Sequence, residues 1–224
     1  MSISFETIKN DERVRAYIQA GNNALKALGF TEHSYAHAQK TAETAAALLK
    51  TLGYSDDTAE LAKIAGFLHD IGNMMGRTRH ELTGAEIART ILEHHRMSYP
   101  DIGVICSAIG NHDEETGRPV NIVSAALILA DKSDVRRSRV QEKSMDEIRA
   151  DIHDRVNYAV TRADIQAIQA EASATIRLCL DIDSTFTPVM DYFEIFLSRM
   201  LMCRRAAAFL NADFELIIND MKIL

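Results

Sequence analysis

Residues 61–72 read LAKIAGFLHDIG, an apolar helical stretch that ends in two ionisable side chains, His69 and Asp70. The apolar residues recur at three- and four-residue spacing, which is typical of a helix that packs into a core. A histidine and a carboxylate beside such a face lose hydration, so each needs a partner. A divalent cation is one such partner. The alternative is a helix end at which the histidine interacts favourably with the negative end of the helix dipole.

Four other residues sit in similar surroundings along the chain. His37 lies in a helix-like segment of small residues (SYAHAQ), and Asp131 ends the apolar run AALILAD. His80 begins the segment HELTGAEI, and His112 follows the segment SAIGN. Each of them alone is commonly a capping or surface residue. Helix bundles, however, build metal sites from single side chains on several helices, so the order His, His-Asp, His, His, Asp predicts a metal centre.

Apolar periodicity and few prolines predict a helical bundle in the first two-thirds of the chain. The predicted helices cover residues 9–28, 34–52, 56–71, 80–96, 99–111 and 121–140. After the charged segment 144–154 the pattern becomes alternating, which favours strands. We interpret residues 156–165, 174–182, 193–210 and 214–218 as strand, strand, helix and strand. The predicted fold is mainly α, with a helical bundle domain over 1–152 and a small C-terminal α/β (β-β-α-β) domain over 153–224.

Composition excludes several classes of protein. The 224 residues include 25 basic and 32 acidic side chains, for a net charge of −7, and 47% are hydrophobic. A chain of this kind folds as a globular protein and lacks the overall basic charge that binding to nucleic acid polymers or anionic membranes requires. Three cysteines without a CxxC pair, an N-terminus without an apolar signal core, and a longest apolar run of only 122–130 all favour a cytoplasmic protein.

The pattern formed by His37, the pair His69-Asp70 and Asp131 resembles the H…HD…D signature of the HD superfamily of metal-dependent phosphohydrolases. The resemblance covers about residues 30–140. It implies an HD-type helical bundle in which these four residues hold a divalent transition metal. Iron, manganese, zinc, cobalt and nickel are all found in the family, and nitrogen and oxygen ligands do not choose among them.

Two further histidines resemble those of the dinuclear branch of the superfamily. They are His80 in HELTGA and His112 in IGNHDEETGR, and the resemblance implies that they hold a second ion that Asp70 bridges to the first. Two departures stand out. Asn73 replaces a lysine that many members carry, and residues 117–119 match only faintly the GYP signature of cyclic-dinucleotide phosphodiesterases, whose activity is therefore not expected.

Cationic side chains beside a metal centre suit a phosphorylated substrate. Arg77 precedes His80, and Lys132 follows Asp131, so we predict that both hold phosphate oxygens. Asp134 lies one turn after Asp131 and is predicted either to orient a ligand or to take a proton, with a surface charge as the alternative. Together with Asp70, these residues form the predicted catalytic set.

Other charged residues have less specific predictions. Arg137 and Arg139 are expected to form solvated pairs with Glu142 or Asp134. His33, one turn before His37, is placed near the mouth of the pocket. Surface positions are expected for the remaining histidines, which are His94, His95 and His153.

The predicted activity is hydrolysis of a phosphate ester or phosphoanhydride in a small nucleotide-like substrate, by a hydroxide that two metals activate. No GxSxG nucleophile motif is present. The same residues also resemble the di-iron HD-type oxygenases. A third alternative is a non-catalytic, metal-stabilised ligand sensor. In that case the C-terminal domain would be a binding or homodimerisation module, with residues 192–202 (YFEIFLSRMLM) either at a subunit interface or packed on their own sheet.

Overall fold

The structure, a computed structural model, describes residues 3–141, 143–171 and 173–224. Its first part is helical, and several helices begin at serine residues whose hydroxyl accepts a backbone N–H, as at Ser34, Ser55 and Ser98. The helices are α1 (Phe5–Lys9), α2 (Glu12–Ala27), α3 (Tyr35–Thr51), α4 (Asp56–Leu68), α5 (His80–His94), α6 (Tyr99–Gly110), α7 (Ile122–Lys132), α8 (Met145–Ala150) and α9 (Ile152–Ala159). Short 3-10 helices lie at Ile71–Met74 and Arg137–Arg139.

The C-terminal part is a small α/β unit. Its elements are β1 (Val160–Gln169), β2 (Ala174–Ile182), α10 (Val189–Phe209), β3 (Ala212–Ile218) and β4 (Met221–Lys222). The sheet order is β1-β2-β3-β4; α10 connects the parallel pair β2/β3, and the two outer pairs are antiparallel. The predicted fold class, a mainly α chain with a C-terminal α/β appendage, is confirmed. The division at residues 152/153 falls at the start of α9 and stays a prediction.

Two predicted elements differ clearly from the structure. The helix predicted over 121–140 ends at Lys132, and the chain then turns so that Asp134 faces α3. The strand predicted over 156–165 begins only at Val160, because α9 is capped by Asp151, whose carboxylate accepts the N–H of Asp154. Apolar residues at alternate positions of a short segment do not distinguish a strand from one helical turn. The sequence prediction also missed β4.

Two glycines bring the elements that carry His37, His69 and His80 close together. A Cβ at Gly66 of α4 would lie 2.8 Å from the Cα of Ala42 in α3, so only glycine permits this helix contact. A Cβ at Gly72 would lie 2.0 Å from the carbonyl oxygen of His80. The chain after His69 therefore passes directly against the first turn of α5.

Helix α10 packs against both β3 and α7. Phe196, Met200 and Cys203 are buried on its inner side, whereas Leu197 is 52% exposed on the other. Much of the stretch 192–202 thus packs within its own chain. Some of its apolar side chains are exposed, and the homodimer stays a prediction. Within the described residues, no helix has the length and apolar character that crossing a bilayer requires.

Candidate metal centre

Four of the predicted ligands meet at the C-terminal end of α4. The Nε2 atom of His37 lies 3.2 Å from Nε2 of His69 and 3.3 Å from Oδ1 of Asp131. Nε2 of His69 lies 3.1 Å from Oδ2 of Asp70. Atoms that each bind one ion at about 2.1 Å are about 3.0 to 3.4 Å apart in octahedral or tetrahedral geometry. The spacing of this first cluster therefore fits a single divalent ion.

The second oxygen of Asp70 belongs to another cluster. Its Oδ1 lies 3.3 Å from Nε2 of His80 and 3.9 Å from Nε2 of His112. The two histidine nitrogens are 3.2 Å apart. Asp70 thus turns one oxygen towards each pair of histidines, which is the arrangement that a bridging carboxylate needs.

The four histidines share a hydrogen-bonding pattern that selects one tautomer. In each ring Nδ1 lies beside an oxygen that can only accept, so Nδ1 keeps its proton; Nε2 faces the cluster and would turn its lone pair to a cation that displaces any proton there. The acceptors are the carboxylate of Asp134 for His37 (2.8 Å) and backbone carbonyls for the others, namely Gly66 for His69 (2.8 Å), Arg77 for His80 (3.1 Å) and Ile109 for His112 (2.6 Å).

Burial and charge act in opposite directions in this site. The four histidine side chains are almost fully buried. Burial disfavours a charged His69, but the carboxylates of Asp70 and Asp131 outweigh it and raise its pKa to about 10. Burial lowers the pKa of His112 to about 4. For Asp131 burial favours the neutral acid, yet Lys132 and His69 hold its pKa well below the usual range. Buried carboxylates of this kind need positive charge beside them, which a divalent cation supplies.

Lys132 and Asp134 contact two residues of the first cluster on the sides that face away from it. The Nζ atom of Lys132 lies 2.7 Å from Oδ2 of Asp131, the oxygen that does not face His37. The Asp134 side chain is only 1% exposed, and it accepts from His37 and from Lys40 (2.9 Å). Asp134 is therefore not a surface charge. Its position fits the orienting role among the alternatives.

Arg77 and Asn73 lie beside the second cluster. The amide of Asn73 donates to Oδ1 of Asp70 at 2.9 Å. The Nη1 atom of Arg77 is 3.2 Å from Nε2 of His80 and 3.8 Å from Oδ1 of Asp70. Asn73, at the position where many members of the HD superfamily have lysine, is thus a neutral donor. Arg77 brings a cation to the same carboxylate.

Arg139 occupies a different position from the predicted one. It is buried, and it donates to the backbone carbonyls of Glu32 (3.0 Å) and Asp134 (2.8 Å). Its Nη1 atom also lies 4.0 Å from the predicted partner, the carboxylate of Asp134, but both side chains are buried. The expectation that this pair is solvated was wrong, because the 3-10 turn after α7 directs Arg139 inwards. Arg137 is exposed and donates to a carbonyl, while Glu142 lies outside the described residues.

Two of the remaining histidines make specific contacts. His33 donates through Nδ1 to the carbonyl of Thr31 (2.7 Å), and its Nε2 lies 4.0 Å from Oδ2 of Asp70, so it borders the first cluster. His95 was expected to be solvated, but its Nε2 lies 2.7 Å from a carboxylate oxygen of Asp11. Exposed positions, as predicted, are found for His94 and His153.

A cavity of about 440 Å³ adjoins the clusters. His33, Arg77, Arg139 and Arg199 line both this cavity and a small recess directly over the ligands. Arg199 comes from α10 in the C-terminal unit and was missed by the sequence analysis. No local pattern separates it from the other arginines of that helix, because its place in the site depends on how α10 packs.

This chain is similar in sequence to a known domain family and to an archaeal protein. The sequence profile of the HD domain matches residues 34–157, more than half of the chain, and this range contains both clusters. A stretch of 156 residues is 27% identical to the uncharacterized protein MJ1020 of Methanocaldococcus jannaschii. The match covers 60% of this chain and 60% of the relative, so the chain spans only part of the length of that protein.

Proposed function

Because the chain belongs to the HD domain family, whose members are in general metal-dependent phosphohydrolases, we propose that it hydrolyses a phosphate ester or phosphoanhydride of a small nucleotide-like substrate. One observation carries the proposal. The carboxylate of Asp70 has one oxygen in the cluster of His37 and His69 and the other in the cluster of His80 and His112. A carboxylate between two groups of nitrogen ligands is suited to hold two ions at the distance that phosphoryl transfer uses.

The proposed ligands follow from this geometry. His37, His69, Asp131 and Oδ2 of Asp70 would hold the first ion. Oδ1 of Asp70 would hold the second, together with the two histidines His80 and His112. When bound, two such ions would lower the pKa of a metal-bound water molecule and stabilise negative charge on the phosphoryl oxygens.

The remaining residues position groups and balance charge. Asp134 keeps the lone pair of His37 directed at the first cluster, and Lys132 holds the outer oxygen of Asp131. Arg77 borders the recess over the ligands, where its guanidinium can donate to a non-reacting phosphate oxygen. Hydrogen bonds in a site of this kind lower the barrier most when they are formed with oxygens that gain charge in the transition state.

The adjoining cavity suits a small substrate. A volume of about 440 Å³ lies within the range of about 300 to 1,000 Å³ that is usual for small-molecule sites. Phe196 offers an apolar surface and Asn157 an amide in its wall. The chain's net charge of −7 opposes nucleic acid polymers as substrates. A cytoplasmic location and a homodimer are further parts of this proposal.

The test compares wild type with His69→Ala and with His94→Ala, a matched control in an exposed histidine. We expect purified wild type to contain up to two transition-metal ions per chain by elemental analysis, and to release phosphate from members of a panel of nucleotides and phosphorylated metabolites. His69→Ala should lose the metal and reduce the rate by at least about 100-fold, since a direct ligand is removed. The control should match wild type.

The outcomes also separate the alternatives. A wild-type protein that retains no metal after supplementation, or a His69→Ala variant with full phosphatase activity, would overturn the proposal. Oxygen consumption during turnover would instead indicate a di-iron oxygenase. A tightly bound nucleotide that is never hydrolysed would indicate a ligand sensor.

A further inference from the structure

Helix α10 places Arg199 in the wall of the cavity beside the metal centre. The Nε atom of Arg199 donates to Oε2 of Glu114 at 2.6 Å, and the hydroxyl of Ser198 contacts the same carboxylate. The guanidinium carbon lies 4.2 Å from the centroid of the Phe196 ring. Glu114 is two residues beyond His112, so this contact joins the C-terminal unit to the loop that carries a candidate ligand. The guanidinium is held by an ion pair at Nε and by an aromatic face.

Arg139 reaches the same junction from the helical bundle. It is 5% exposed, and its Nε and Nη1 atoms donate to the backbone carbonyls of Glu32 and Asp134. Its Nη2 has no acceptor among the residues that the structure describes. Its Nη1 atom also lies 4.0 Å from Oδ2 of Asp134, but that carboxylate is shared with His37 and Lys40. An anion in the adjoining cavity would therefore add to the compensation of the buried guanidinium charge.

The location of these arginines relative to the ligands is informative. Arg77, Arg139 and Arg199 line both the recess over the ligands and the 440 Å³ cavity, so they stand where the two meet. Lys132 lines only the recess. A reacting phosphate already has the ions and Lys132 beside it. Three further guanidinium groups are more than one phosphate requires. Two of them, those of Arg139 and Arg199, do not belong to the predicted catalytic set.

We propose that Arg139 and Arg199 form a second anion subsite, which binds a non-reacting phosphate group next to the one that is attacked. The inference rests on the proposed function and narrows it to substrates with two adjacent phosphate groups, as in a phosphoanhydride, over simple monoesters. It also assigns a role to the C-terminal unit, in which α10 determines substrate specificity. Arginine is suited to this role because its planar fork can donate two parallel hydrogen bonds to one phosphate.

The test measures binding of inorganic phosphate and of pyrophosphate to the full chain by titration calorimetry. Wild type should bind pyrophosphate at least about tenfold more tightly than phosphate, and Arg199→Met should weaken pyrophosphate binding by about 10- to 100-fold, the effect of losing hydrogen bonds to a charged group. Phosphate binding should change by less than about threefold, since its place is at the ions. Arg205→Met, an exposed arginine of the same helix, is the matched control and should behave as wild type.

Further measurements exclude indirect effects. Metal content is determined again after each titration, because pyrophosphate also binds divalent ions in solution. If Arg199→Met fails to fold once Glu114 loses its partner, Arg199→Lys retains a cation for Glu114 but lacks the fork, and it should still lose the preference for pyrophosphate. Equal affinity of wild type for the two anions, an unchanged preference in the variant that folds, or an equal loss of both anions overturns the subsite.

This test is independent of turnover. Failure of the proposed function is detected as absence of metal and of phosphate release in the elemental analysis and substrate screen. Failure of the subsite is detected as a missing preference between two anions in a protein that binds metal normally.

Discussion

Asp134 offers the sharpest test of how the metal centre is supported. Its carboxylate is 1% exposed, accepts from Nδ1 of His37 at 2.8 Å, and also pairs with Lys40 and Arg136, each at 2.9 Å. Burial alone would raise the pKa of Asp134, but the hydrogen bond from His37 and the surrounding cations outweigh burial and lower it. Asp134 is therefore a charged acceptor in the folded protein, and Asp134→Asn removes this charge with little change in shape.

The substitution should weaken metal binding without removing a ligand. An amide can turn its N–H groups towards Nδ1 of His37, which would leave the ring proton on Nε2, the atom that faces Asp131. Loss of such a supporting partner costs about 10- to 100-fold in metal affinity. That factor corresponds to about 1.4 to 2.7 kcal/mol of binding free energy.

The assay is calorimetric titration of Mn²⁺ into the chelator-treated chain, with thermal unfolding as a check that each variant is folded. Asp181→Asn is the matched control, because Asp181 pairs with Arg162 at 2.7 Å on the sheet and is partly exposed. The control should bind Mn²⁺ as wild type does. An Asp134→Asn dissociation constant within twofold of wild type, with His69→Ala unable to bind, would refute the orienting role.

Two further predictions concern stability. Gly66→Ala should lower the free energy of unfolding by about 1 to 3 kcal/mol, because the added methyl group overpacks the contact between α3 and α4. The control Gly103→Ala, on an open helix face, should be neutral or stabilising by up to about 1 kcal/mol. Denaturant unfolding compares the two variants, and equal effects would contradict the close-packing argument. The hydrogen bonds from Arg13 hold the pKa of Asp11 below its ordinary 3.8, so this carboxylate stabilises the fold above about pH 4, and the stabilisation is lost as the pH falls through the lowered pKa. Asp11→Asn should therefore be less stable than wild type at neutral pH and approach its stability in acid. The control Asp56→Asn, at an exposed carboxylate, should differ little from wild type at either pH. A difference in unfolding free energy between Asp11→Asn and wild type that does not change with pH would contradict this effect of the lowered pKa.

Local patterns were sufficient for most of the helices and for part of the sheet. Strand β2 matches its predicted bounds, 174–182, because alternation in a strand that is buried on one face is a local property. The apolar run 61–68 likewise predicted α4 and the polar pair that follows it. The end of α7 was not predictable in the same way. The helix ends at Lys132, and the turn that follows places Asp134 in contact with His37, a residue almost a hundred positions earlier in the sequence.

Charged residues show where a single sequence is insufficient. Arg139 and Arg137 are two positions apart with the same side chain, yet one is buried beside the ligands and the other is exposed. Arg199 and Arg205 share one helix, and only Arg199 reaches the cavity. Their environments depend on neighbours that are distant in sequence, such as Glu32 and Glu114. Composition and periodicity carry no information about such neighbours.

The sequence by itself determined the membership of the HD domain family and the set of candidate ligands, because the order His, His-Asp, His, His, Asp can be read without coordinates. Tertiary structure alone decided how these residues are used. It turned the two oxygens of Asp70 towards different histidine pairs, assigned the tautomer of each ring through its Nδ1 acceptor, and brought Arg199 from α10 to the cavity. The physical reason is that ligand identity is a property of residue type, whereas hydrogen-bond direction and charge compensation depend on packing between distant segments.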